Sequence, residues 1–177
     1  MSGRSARLLL ALLVTVSGCA HPPSPAANSV AGTTVAAPLP PDLRAELYPQ
    51  WITLQPQIKW PPNDGCAAAP VAATLPAGTL IDRFGSETGR YFSPRGESFA
   101  SRALPYVCSR MTYTVYRVQK PLKVMACKAA AWFDEPGGAE QFQTADAAST
   151  LRQGGVIAVV AEPNAGSAVA SAPCGGH

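Results

Sequence analysis

The stretch MTYTVYRVQ, Met111 to Gln119, followed by Lys120-Pro121 and LKVMA, Leu122 to Ala126, decides the fold. Threonine, valine and tyrosine dominate the first run, and side chains of this kind suit a pleated, half-buried surface. Two such runs separated by a proline-containing break predict a hairpin. Working outward, Pro76-Ala77-Gly78 forms a turn that launches a strand over Thr79 to Arg83. Further strands are predicted over Glu140 to Gln143 and Val156 to Ala161. The helical segments between them are short. PDLRAELY, Pro41 to Tyr48, is one; Ser98 to Ala103, stopped by Pro105, is another. Thr144 can cap a third over Ala145 to Gln153, which Gly154-Gly155 closes. The expected architecture is α+β, a compact, twisted, mainly antiparallel β-sheet with short peripheral helices.

The N-terminal end reads as a targeting segment. Arg4 and Arg7 precede an apolar run, Leu8 to Val16, that is too short to span a bilayer. Val16-Ser17-Gly18-Cys19 then places small residues before a cysteine and resembles the lipobox of bacterial lipoproteins. That resemblance implies cleavage before Cys19 and lipidation of its thiol; a plain secretory peptide with an incidental cysteine is the alternative. Residues 1–18 are thus expected to be a signal peptide and 19–41 a lipidated cysteine with a Pro/Ala-rich tether. A domain follows over 42–162, and 163–177 form a flexible tail. The chain is expected outside the cytoplasm, held to the cell membrane through Cys19 or secreted. Its formal charge of +3 falls to +1 once Arg4 and Arg7 leave with the signal. A nearly neutral domain offers no electrostatic footprint for nucleic acid, which is not expected as a partner.

With Cys19 acylated, four cysteines remain, Cys66, Cys108, Cys127 and Cys174. An even number in an oxidising compartment predicts two disulfides in one of three connectivities. A zinc site is the competing reading, but no CxxC pair occurs, and no metal is expected. Cys174 lies in a Gly, Ser and Ala-rich tail, so its bridge would pin that tail to the domain.

The chain has two histidines, His21 in the tether and His177 at its end. Unless the tail returns to the site, the domain has no imidazole, and Ser-His-Asp and Cys-His catalysis, HExxH metalloproteases and most zinc hydrolases drop out. Arginine, glutamine, tyrosine and carboxylates remain, a set suited to gripping an anionic ligand.

WPPNDGC (Trp60–Cys66), IDRFGSETGRYFSP (Ile81–Pro94), ASRALP (Ala100–Pro105), the YxVY of Tyr113 to Tyr116 and WFDEPGGAEQF (Trp132–Phe142) together resemble the tuberculosis necrotizing toxin domain family. These are NAD glycohydrolases, and the likeness runs from about Trp60 to Val160. It implies cleavage of NAD to nicotinamide and ADP-ribose, with NAD as substrate and no cofactor. It places functional residues at Arg102 and Gln141, with Arg83 and Tyr91 as substrate-binding groups. The family's toxins commonly carry a histidine between the tyrosines of YxVY; here that position is Thr114, which can exchange hydrogen bonds but brings no ionisable proton near neutrality. An immunity protein is a further partner of the kind such toxins imply. Two function classes stay open: an exported glycohydrolase, and a catalytically lapsed surface lipoprotein that binds a nucleotide or protein. Trp60 is expected to cover the core from a rigid turn. Arg83 and Arg102 have a plainer reading as arginines paired with neighbours such as Asp82 or Glu97.

Overall fold

The computed structural model describes residues 40–53, 57–160 and 173–175. The expected signal peptide, Cys19, nearly all of the expected tether and most of the expected tail lie outside the described residues. Seven strands form the framework: β1 (Val71–Leu75), β2 (Leu80–Phe84), β3 (Tyr91–Pro94), β4 (Tyr113–Val118), β5 (Leu122–Lys128), β6 (Glu140–Gln143) and β7 (Ile157–Val159). Among the described residues one α-helix, α1 (Ala148–Gln153), packs with them. The spatial order is β1-β5-β6-β3-β2-β4-β7, and every neighbouring pair is antiparallel. The α+β expectation of a mainly antiparallel sheet with short helices holds.

The predicted hairpin does not. Both edges of β4 are occupied, one by β2 (Leu80↔Arg117 to Phe84↔Tyr113) and the other by β7 (Tyr116↔Val159 to Val118↔Ile157). β5 pairs instead with β1 and β6. The Gln119 N–H donates to the Val156 carbonyl at 2.8 Å, so the chain leaves β4 bound to the segment before β7. A proline break marks where a strand ends but carries no information about which edge its successor joins.

Other boundaries shift for local reasons. Leu43 pairs with Tyr106 in an extended bridge, which leaves a single 3-10 turn, Ala45–Leu47, of the expected Pro41 to Tyr48 helix. Ser98 to Ala103 contracts to the 3-10 turn Ala100–Arg102, ended by Ala103 at φ +48°. Thr144 does not cap α1. Its Oγ1 donates to the carbonyls of Arg90 and Asp146, and Ala147 stands at the cap without a side-chain bond. β1 and β3 were not predicted, and β7 is shorter than expected.

One core cluster draws side chains from all seven strands and α1, including Ile81, Phe92, Tyr116, Val124, Phe142, Leu151 and Ile157. A second gathers Phe84, Phe99, Tyr113 and Val115. Because side chains alternate along a strand, β2 divides between them: Ile81 and Arg83 face the first cluster, Asp82 and Phe84 the second. Disulfides Cys66–Cys127 (2.06 Å) and Cys108–Cys174 (2.02 Å) select one of the three connectivities. The second bridge does pin the tail, and the Phe99 N–H donates to the Pro173 carbonyl beside it at 2.8 Å.

Candidate functional site

A cavity of about 890 Å³ opens where the ends of β2, β3 and β6 meet the Trp60–Cys66 turn and the Ala100–Arg102 turn. Arg83, Tyr91, Arg102 and Gln141 all line it. Sequence reasoning drew these four from separate motifs, and the fold brings them to one wall. Thr114 is not among the lining residues; it lies in register with Arg83 across the β2–β4 ladder.

Arg83 is 7% exposed, and its Nε and Nη1 have no protein partner. Nη2 makes only a long contact to its neighbour's carbonyl, Phe84 O at 3.5 Å, and the guanidinium carbon sits 5.7 Å from the Phe92 ring centroid. Burial holds its pKa below the usual arginine value, against the opposing fields of Tyr116 and Glu87; arginine nonetheless stays charged in proteins. A buried cation with free donors is costly unless an anion completes it. Gly89 makes room for this group, since a Cβ there would fall 2.1 Å from Arg83 Nη2.

Arg102, also nearly buried, is by contrast engaged. Nε and Nη2 donate to the Glu97 carbonyl at 3.2 and 2.8 Å, and Nη2 lies 2.6 Å from Asp82 Oδ1. Its guanidinium covers the Phe84 ring at 5.0 Å. Asp82, fully buried, also accepts from the Tyr113 hydroxyl at 2.6 Å and the Gly96 N–H at 2.9 Å. Burial first, and then the bond to Asp82, push the Tyr113 phenol well above its usual pKa, so it remains a neutral donor. The pairing with Asp82 and Glu97 read as the plainer alternative therefore applies to Arg102 and not to Arg83.

Tyr91 stands half-exposed with its hydroxyl 3.4 Å from Asp64 Oδ1, while its neighbour Phe92 enters the core. Gln143 Nε2 reaches the Tyr91 hydroxyl at 3.3 Å and Asp64 Oδ2 at 3.4 Å. Gln141 Nε2 donates to the Asp64 carbonyl at 2.9 Å. Next to Gln141, Glu140 takes a different partner and pairs with Lys128 at 3.1 Å.

Asp64 is a lining residue that sequence reasoning missed. Asn63, Asp64 and Gly65 all adopt positive φ (53°, 53° and 87°), a turn in which an Asn-Asp-Gly sequence is at home. That dipeptide-plus-glycine was the available signal. Trp60 does not cover the core as expected; it is 53% exposed on the cavity wall, edge-on to Phe133 with centroids 5.6 Å apart.

Residues 74–160 match the family model of the tuberculosis necrotizing toxin (TNT). The matched segment contains Arg83, Tyr91, Arg102, Thr114 and Gln141, and begins after Asp64 and Cys66. The chain is also 39% identical over 79 residues to the conidial surface nicotinamide adenine dinucleotide glycohydrolase nadA of Aspergillus fumigatus. That alignment covers 41% of this chain and 34% of nadA, about a third of the relative's length. Among solved structures, tuberculosis necrotizing toxin complexed with its immunity factor IFT superposes with a TM-score of 0.51 at 22% identity. The superposition covers 59% of this chain and 62% of that one, and it establishes a shared fold.

Proposed function

We propose that this chain is an exported NAD glycohydrolase that cleaves NAD to nicotinamide and ADP-ribose. The observation that carries the proposal is Arg83, a buried guanidinium with two unpartnered donors in a cavity shared with Arg102, Tyr91 and Gln141. About 890 Å³ falls within the range of cavities that enclose cofactor-sized ligands. The glycohydrolase activity in nadA's name and the TNT match over 74–160 support the same substrate.

In this reading a water oxygen bonds to the ribose carbon that bears nicotinamide. The carbon–nitrogen bond breaks, its electron pair stays on the departing neutral nicotinamide, and a proton is released to solvent. No cofactor is required, because the leaving group needs little acid assistance. The demand falls on gripping the pyrophosphate and stabilising an oxocarbenium-like ribose. Arg83 supplies charge-assisted donors to phosphate oxygens. Arg102 adds positive field from a position fixed by Asp82 and Glu97. Tyr91 offers a ring face to a flat base, and Gln141 orients the ribose or the water through its amide oxygen, its nitrogen being given to Asp64.

Export, lipidation at Cys19 and membrane anchoring belong to the same proposal, as does an immunity protein that occludes the cavity. Partition of the native protein into detergent, lost in Cys19→Ala, tests the anchor. Incubating the purified chain with NAD and following nicotinamide release tests the activity. Release sustained over many turnovers is expected. Tight NAD binding without release would favour the second reading, a nucleotide-binding module, to which the engagement of Arg102 and the absence of Thr114 from the lining lend weight. Neither binding nor release would end both.

A further inference from the structure

Gln141 projects from a four-residue strand, and nothing in β6 itself fixes the rotamer of its amide. Its fixed contacts come from elsewhere. Nε2 donates to the Asp64 carbonyl at 2.9 Å and lies 3.8 Å from both Cys66 Sγ and Cys127 Sγ. Cys127 is also the residue opposite Gln141 in the β5–β6 ladder. The Asp64 carbonyl is presented by three successive residues at positive φ, a conformation that Asn and Asp tolerate better than other side chains, and neighbouring groups hold the turn in place. Here the next residue is Cys66, bonded to Cys127, and the flanking backbone is tied to the same strand end. Ala67 N–H donates to Lys128 O, and Ala130 N–H to Gly65 O, each at 2.8 Å. Gly65 itself is held at φ +87°, where a side chain is strained, and a Cβ there would stand in ordinary contact with Gln141 Oε1 at 3.5 Å.

We infer that the Cys66–Cys127 disulfide and the Asn63-Asp64-Gly65 turn it anchors are the positioning device of Gln141, so that turnover is coupled to the redox state of this one bridge. The inference rests on the glycohydrolase reading and deepens it. A small-molecule dithiol gives two electrons and two hydrogens to the bridge and becomes a cyclic disulfide. Cys66 and Cys127 become separate thiols, and the turn loses the covalent tie that holds the Asp64 carbonyl on the amide. The chain is then inactive in a reducing compartment and gains activity on oxidation. Cys66 and the turn precede the matched residues 74–160, whereas Cys127 and Gln141 lie within them.

The second bridge supplies the control. Its sequence separation is 66 residues against 61, so the two cross-links constrain the unfolded chain to closely similar degrees. None of the four cysteines lines the cavity, and it is the sulfurs of Cys66 and Cys127 that lie 3.8 Å from Gln141 Nε2. The experiment compares nicotinamide release by the full chain as wild type, Cys66→Ala/Cys127→Ala and Cys108→Ala/Cys174→Ala, each at a temperature where circular dichroism shows it folded. The first double variant is expected to lose about ten- to a hundredfold in kcat with KM changed less than about threefold, the pattern of a misplaced group rather than a lost binding contact. The second double variant is expected to keep kcat within about threefold and to lose kcat when dithiothreitol reduces its remaining bridge, regaining it on reoxidation. Should the first variant fail to fold, Gly65→Ala leaves both bridges intact and is expected to lower kcat more than it raises KM. Wild-type kcat in the folded Cys66→Ala/Cys127→Ala protein, in the reduced control variant or in Gly65→Ala would overturn the inference. An oxidised wild type that releases no nicotinamide would instead refute the glycohydrolase reading and take the inference with it.

Discussion

The two faces of β2 treat a buried arginine in opposite ways. On the face of Asp82, Arg102 is held by a carboxylate and a backbone carbonyl, and Asp82 in turn has partners in Tyr113 and Gly96. On the face of Arg83, a guanidinium is left with Nε and Nη1 unbonded among the described residues. The first arrangement is an internally satisfied network that contributes to holding the fold together. The second leaves a charge without a protein partner at the cavity, where an anionic ligand can complete it, which is the usual relation between a structural ion pair and a binding group.

The sharpest break of that comparison is Arg102→Ala. It strands the fully buried Asp82 carboxylate, and a destabilisation of about 3 to 5 kcal/mol in chemical denaturation is expected. Arg83→Met should move stability the other way, leaving it unchanged or higher by about 1 kcal/mol, because an unpaired buried charge is replaced by an apolar chain of similar length. The same substitution should weaken NAD binding by about 1.5 to 3 kcal/mol in titration calorimetry, the worth of hydrogen bonds to a charged group. Equal stability losses in the two arginine variants would show that the two faces do not differ.

Tyr113→Phe sharpens the network side. At neutral pH it removes one bond to Asp82 and should cost about 1 to 2 kcal/mol. Burial raises the pKa values of Tyr106, Tyr113 and Tyr116 alike, so above pH 10 the folded protein retains phenolic protons that the unfolded chain has released. Their contribution is therefore complete below pH 10 and is lost as pH rises beyond it, by up to about 1.4 kcal/mol per pH unit for each tyrosine. Melting temperatures measured across that range should fall, and less steeply in Tyr113→Phe.

The smallest expected effect is the pH dependence of turnover between about 6 and 8. Among the described residues the cavity lining contains arginine, aspartate and tyrosine but neither histidine nor a free thiol, the side chains whose ordinary pKa values lie nearest neutrality. A profile flat within about twofold is expected for wild type, with Thr114→His adding a titration only if its ring reaches the site. A full single-proton limb near pH 6.5 in the wild type would mean that proton transfer, and not the fixed field of the two arginines, limits the rate.

Much of the sheet was legible. β4 announced itself through Tyr113, Val115, Tyr116 and Val118, and β2 and β6 fell within a residue of their expected ends. β1 did not, because VAATL sits in alanine-rich sequence with little β-branched signal, and β3 is a four-residue strand ending in Pro94. The chemistry of Arg83, Tyr91, Arg102 and Gln141 could be nominated from motifs, since residue type and turn composition are local properties. Which arginine would be free could not. Asp82 and Arg83 are adjacent in sequence, and only the alternation of β2 against two different core clusters gives Asp82 to Arg102 and leaves Arg83 facing the cavity.

By itself the sequence determined the strand-forming stretches, the glycine and proline turns and the set of side chains available for chemistry, because dihedral preference and residue type act within a few positions of the chain. Tertiary structure decided that β4 pairs with β2 and β7 rather than β5, that Cys66 joins Cys127, and that Asp64 meets Gln141 across 77 residues. Those choices depend on which edges and faces remain unoccupied once the whole sheet has closed around its core, and no local stretch of sequence carries that information.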